Sequence, residues 1–192
     1  MFQFTSKIKN WLLENSDSRS ARVTLGVISF AESSFFPIPP DVFLAPMVVA
    51  KPARWIRYAT IVTVASVVGG IFGYMIGLVL FHSIAEPLIN LYSWQDEVAK
   101  VGTLFENNSF MTIFFAAFTP IPYKVFTIVA GVFKINIFVF VAASILGRGI
   151  RFYLLAALMK YVGEKYGNLI FKYFNYILVT LIILVAIYFI VV

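Results

Sequence analysis

Apolar residues fill most of this chain, and the informative positions are those where the apolar runs stop. Residues 58–81 contain no charged side chain and predict a membrane-spanning helix, since about 20 apolar residues at 1.5 Å each cross about 30 Å of hydrocarbon. Residues 135–159 predict a second span, with Arg148 and Arg151 inside it, and 173–192 predict a last one. Two further runs, 23–50 and 110–133, are broken in the middle. The first break reads Phe35-Phe36-Pro37-Ile38-Pro39-Pro40-Asp41-Val42-Phe43, and the second is a near copy, Phe118-Thr119-Pro120-Ile121-Pro122-Tyr123-Lys124-Val125-Phe126. Proline lacks the backbone donor and clashes with the preceding turn, so prolines two apart stop a helix. The arms around the first break, about 14 and about 10 residues long, are each too short to cross the bilayer. Freed carbonyls cannot face lipid, so each broken run predicts a re-entrant hairpin that returns to its starting side.

The remaining segments are shorter. Phe4, Ile8, Trp11 and Leu12 fall at helical spacing with Lys7, Lys9 and Glu14 elsewhere around the turn, which predicts a helix lying in the membrane interface within residues 1–22. Residues 82–109 form a polar loop with Glu86, Asp96, Glu97 and Glu106 against Lys100 alone. Gly69, Gly73 and Gly77 recur every fourth residue and predict a smooth stripe where another helix approaches closely. His82, the single histidine, reads as an interfacial side chain.

Charge then orients these elements. The N-terminal segment, Lys51–Arg57 and residues 160–172 are basic, whereas the loop at 82–109 is acidic. With both broken runs re-entrant, the three basic regions share one face and the acidic loop takes the other. That satisfies the positive-inside rule with the N-terminus cytoplasmic; Lys134 alone runs against it. If each broken run spanned fully, Lys51–Arg57 would lie outside. The hairpins then enter from opposite faces, and each is followed by a span with the same signature, Ala65-Ser66-x-x-Gly69 and Ala143-Ser144-x-x-Gly147. Hairpin plus span, repeated in opposite orientation, is an inverted repeat.

Composition agrees with this reading. The 192 residues are 61% hydrophobic and 12% charged, with 21 Phe, which excludes a soluble domain. The expected fold class is therefore an all-α integral membrane protein of one membrane domain. It comprises an interfacial helix, a first repeat (hairpin 23–50, span 58–81), the loop, a second repeat (hairpin 110–133, span 135–159) and a C-terminal span. The net charge of +6 suits anionic lipid at the cytoplasmic face rather than nucleic acid. With no Cys there is no disulfide or thiolate metal site.

Five ionisable residues, Glu32, Asp41, Lys124, Arg148 and Arg151, stand in otherwise apolar stretches. Each costs about 2.5–3.5 kcal/mol at a helix centre on insertion scales, so each is a candidate for function. Asp41 and Lys124 occupy equivalent places after the two breaks, which predicts a tip-to-tip ion pair and leaves the arginines with spare positive charge. Arg148 and Arg151 lie one turn apart on one face. With the helix N-termini that follow Pro37, Pro39, Pro40, Pro120 and Pro122, they suit an anionic group, phosphate above all. The alternative is that these charges only pair with one another and hold the repeats together. No Ser/His pair, aspartate pair or metal set points to hydrolysis, so no catalytic residue, metal or cofactor is expected.

The paired proline hairpins, Glu32 ahead of the first, Gly147-Arg148 in the later span and Ala130-Gly131 after the second hairpin resemble the DedA (VTT-domain, SNARE-associated) family, and the second hairpin resembles its YqaA branch. The resemblance covers roughly residues 25–160. It implies a bacterial inner-membrane protein moving an anionic lipid, undecaprenyl phosphate or a phospholipid, between leaflets as a flippase or scramblase, with coupling to the proton gradient. It also implies roles for Glu32 and Asp41 in proton or charge coupling and for Arg148. The chain departs from the family pattern at Ala117 and Tyr123-Lys124, where arginines are common, and has no acidic residue around Gly69 to Gly77. The expected function is lipid transport, with Arg148, Arg151 and Lys124 binding the phosphate. The expected partners are the lipid and the bilayer, with room for a homo-oligomer. A membrane scaffold is the alternative.

Overall fold

The computed structural model describes residues 18–35, 38–80, 102–103, 105, 108–119 and 122–161. The expected interfacial helix before Ser18, most of the acidic loop with His82, the last span at 173–192, and Pro37 and Pro120 lie outside the described residues. Among the described residues the fold is helical, without a strand.

Helix α1, Arg19–Ser34, starts where the Ser18 side chain accepts the Ala21 amide at 3.0 Å, capping an otherwise orphaned donor. It ends as the proline break begins. Helix α2, Asp41–Ala50, starts directly after Pro40, whose φ of −66° is already helical. The Pro40 carbonyl accepts the Phe43 and Leu44 amides, so the break itself begins the returning arm. A short 3₁₀ turn, Pro52–Arg54, leads into α3, Trp55–Leu80. The second break separates α4, Ser109–Phe118, from α5, Tyr123–Val132. Lys134 takes a left-handed φ of 53° in the turn after α5. The Asn136 side chain accepts the Phe138 amide at 2.9 Å and opens α6, Ile137–Tyr161. Pro52–Leu80 and α6 are the two described helices long and apolar enough to cross a membrane. The four arms on either side of the breaks are not, as the prolines required.

The pairings between helices define their directions. Ser29 donates to the Val62 carbonyl, the Ser33 and Ser66 hydroxyls meet at 2.7 Å, and Ser34 donates to the Gly69 carbonyl, so α1 runs parallel to α3. A Cβ on Gly69 would collide with the Phe30 carbonyl, and one on Gly77 with that of Ile128. Gly70 and Gly73 face Tyr123 and Thr127, which makes α5 parallel to α3 as well. The glycine stripe is thus a packing surface for two helices, and small residues permit that approach. Gly147 lies against Ala117 and the Phe114 carbonyl, and Arg151 reaches Thr119, so α4 is parallel to α6. Between the two long helices the order reverses: Lys160 sits over Trp55, Tyr153 bonds Thr60, and Arg148 bonds Ser66. Helices α3 and α6 are antiparallel.

The apolar core comes in two parts. One gathers Leu25, Leu44, Met47, Tyr58, Val62 and Phe152 near the start of α3. The other gathers Tyr74, Ile113, Tyr123, Ile135 and Phe140 towards its end. Ser66 and Arg148 lie between them.

Candidate functional site

Between the two cores lies a layer of buried charge, and α6 supplies its cations. The Arg148 guanidinium is enclosed, its side chain 2% exposed. Its Nη2 donates to Glu32 Oε2 and, at 3.0 Å, to Ser33 Oγ. Its Nε donates to Ser66 Oγ at 2.5 Å. Ser33 and Ser66 are bonded to each other, and Ser33 also donates to Glu32 Oε2 at 3.1 Å. The Tyr123 and Phe152 rings complete the shell, with centroids 4.7 and 4.8 Å from Cζ, within cation–π range. Breaking such a buried pair from one side strands a charge at about 3–5 kcal/mol.

Arg151, one turn further along the same face, does different work. Its Nη2 donates to Asp41 Oδ2 at 2.5 Å, and its Nη1 to the Thr119 carbonyl at 2.6 Å. One planar fork therefore joins the residue after the first break to a carbonyl left free by the second. Helix breaks at membrane depth require such a partner for their orphaned carbonyls. Asp41 is 5% exposed, and its Oδ1 has no hydrogen-bond partner.

The structure changes the expected pairing. Asp41 does not meet Lys124. Because α4 packs parallel to α6, Thr119 and the first hairpin both come within reach of Arg151, and that side chain takes the carboxylate. Both arginines thus have carboxylate partners, and the spare positive charge belongs to Lys124, whose ammonium has no partner among the described residues. Pro40 is buried, while Pro39 and Pro122 are more open.

Several contributors had no role assigned from the sequence. Ser66 and Ser144 stood out as a repeated signature, and their contacts differ. Ser66 orients Arg148, whereas Ser144 accepts the Tyr123 hydroxyl at 2.5 Å. Ser29 and Ser33, spaced i and i+4 in an apolar helix, were the legible signal of a polar face turned towards α3. Thr127 donates to the Ser33 carbonyl at 3.3 Å and so ties α5 to α1. Phe152 and Tyr123 carried no signal distinguishing them from core aromatics.

Helical arms broken by proline, two helices long and apolar enough to cross a membrane, and ion pairs buried between them are the features of an α-helical membrane protein with a charged interior layer. The VTT-domain family model matches residues 36–161, and the chain belongs to that family, the DedA membrane proteins. The chain is 41% identical to an uncharacterized protein of Haemophilus influenzae, over 81% of its own length and 80% of the relative's. It is 32% identical to an uncharacterized protein of Histophilus somni, with 79% of each chain covered. No solved structure matches.

Proposed function

We propose that this protein is a transporter, not an enzyme, that moves an anionic lipid between the leaflets of the bacterial inner membrane. In this reading the phosphate headgroup crosses the buried charged layer while the tails stay in the bilayer. The observation that carries it is Arg151, whose single guanidinium spans both proline breaks at the level where the two cores separate. Charged groups at that depth are expensive and mark pathways by default. Broken helices in matching halves of a membrane protein mark the substrate region of many transporters.

The helix directions support the re-entrant, inverted arrangement. An arm that runs parallel to the next long helix, with a returning arm between them, enters from the face where that long helix starts. This holds for α1 with α3 and for α4 with α6, and α3 and α6 run in opposite senses. The two hairpins then enter from opposite faces, and rocking one repeat against the other would expose the charged layer to each leaflet in turn. Single cysteines in this Cys-free chain test the arrangement. Arg19→Cys and Lys51→Cys should label from one face of intact cells and Asn108→Cys from the other; Arg19 and Lys51 on opposite faces would exclude a first re-entrant hairpin.

A membrane scaffold is the second reading, favoured by one observation: both arginines are already paired with carboxylates. Purified protein in vesicles decides between them. Transport predicts accelerated transbilayer movement of a labelled anionic lipid over protein-free vesicles, and an unchanged rate across a lipid panel supports the scaffold.

A further inference from the structure

We infer that, within the transport reading above, the lipid's phosphate is taken on the Arg151–Asp41 side of the charged layer with Lys124 of α5 as a further cation, and that Arg148 with Glu32 is a structural tie. The two halves differ in what they leave open. A phosphate reaching Arg148 would have to displace a carboxylate, two hydroxyls and one or both of two rings, all inside a shell that leaves 2% of the side chain exposed. Arg151 is 19% exposed where Arg148 is 2%, although each holds its carboxylate through one oxygen only. The other Asp41 oxygen is buried without a donor, a costly state that a donor on an arriving headgroup would relieve. Lys124 lies in the first turn of α5, directly after the break whose Thr119 carbonyl Arg151 holds. Its ammonium is unpaired among the described residues. A cation unpaired among the described residues, a partly exposed fork and a buried acceptor without a donor are the parts of a site suited to an anion that carries a donor. The closed half lacks all three.

A phosphate entering here would compete with Asp41 and the Thr119 carbonyl for the Arg151 fork. Binding would then loosen the Arg151 link between the two breaks, which is the link a rocking motion must release. The Arg148 tie would stay closed throughout.

The test is direct binding of a water-soluble short-chain lipid, dihexanoyl phosphatidate, to the full-length protein in detergent, read by titration calorimetry with inorganic phosphate as a second titrant. Arg151→Gln and Lys124→Gln are each expected to weaken phosphatidate binding at least tenfold, while the neutral pair Glu32→Gln with Arg148→Gln stays within about threefold of wild type. Arg151→Gln leaves Asp41 unpaired and could unfold the chain, so Lys124→Gln, at a side chain with no ion pair among the described residues, carries the test alone if needed. Binding lost in the neutral pair but kept in Lys124→Gln would overturn the division and leave the transport reading standing. Wild-type protein that binds no phosphatidate would sink the transport reading and this inference together. Inorganic phosphate binding as tightly as phosphatidate would overturn a lipid as the ligand.

Discussion

The two long helices carry the same signature and then diverge in an instructive way. After Ala65-Ser66-x-x-Gly69 comes Gly70 and, one turn on, Gly73; after Ala143-Ser144-x-x-Gly147 comes Arg148 and, one turn on, Arg151. In α6 the long side chains project from the span into the first hairpin, where Glu32 and Asp41 receive them. In α3 the span is bare, and the second hairpin projects into it through Tyr123 and Thr127. The space between a long helix and the arms packed on it is filled from the long helix in one case and from the arms in the other. The first filling is ionic and the second is aromatic and hydroxylic. Two long helices with one small-residue signature therefore pack against proline-broken arms through an ionic contact in one case and a neutral one in the other.

Removing a filler from the ionic side should cost most. Arg148→Ala strands Glu32 and opens a hole beside Tyr123 and Phe152, with an expected loss of about 3–5 kcal/mol in reversible unfolding in mixed micelles. The neutral pair of Glu32→Gln with Arg148→Gln should lose far less, because no charge is left unpaired. A single change no worse than the double would show that the ion pair is not the tie it looks to be.

Crowding the aromatic side comes next. A Cβ at Gly70 would lie 2.9 Å from the Tyr123 hydroxyl, so Gly70→Ala should cost about 1–3 kcal/mol by overpacking. Adding Tyr123→Phe removes the nearest atom, and the combined loss should be smaller than the sum of the single losses. Strict additivity would mean that Tyr123 does not fill the Gly70 space.

The smallest contrast sharpens the comparison between the signature serines. Ser66 accepts from a guanidinium and Ser144 from a phenol. Ser66→Ala should lose about 1.5–3 kcal/mol, in the range for bonds to charged groups. Ser144→Ala should lose about 0.6 kcal/mol, the average for side-chain bonds within membranes. Equal losses would erase the distinction between an ionic and a neutral filling.

Much of this was legible because it is local. Prolines at Pro39, Pro40 and Pro122 act on their own neighbours through ring sterics and the missing donor, so where the helices stop and restart follows from residue order alone. The uncharged stretch before Phe81 was long enough to cross the bilayer, and α3 runs through it. Gly69, Gly73 and Gly77 announced a smooth face, and two helices use it. The five ionisable residues were likewise visible, since charge in an apolar run is conspicuous.

What each charge meets was not legible. Asp41 and Lys124 match in sequence position, yet Asp41 pairs with Arg151, which stands far along the chain. The reason is geometric: the register of α6 against α3 and α4 is set where backbones approach at Gly147 and where Arg148 meets Ser66, and that register alone carries Arg151 to the first hairpin. Residue order determined the apolar spans, the proline breaks and the inventory of buried charge, because those depend on sterics and solvation within a few residues. Only the tertiary structure decided which charges are closed into pairs and which are left open, because partners across packed helices depend on how closely the backbones pass.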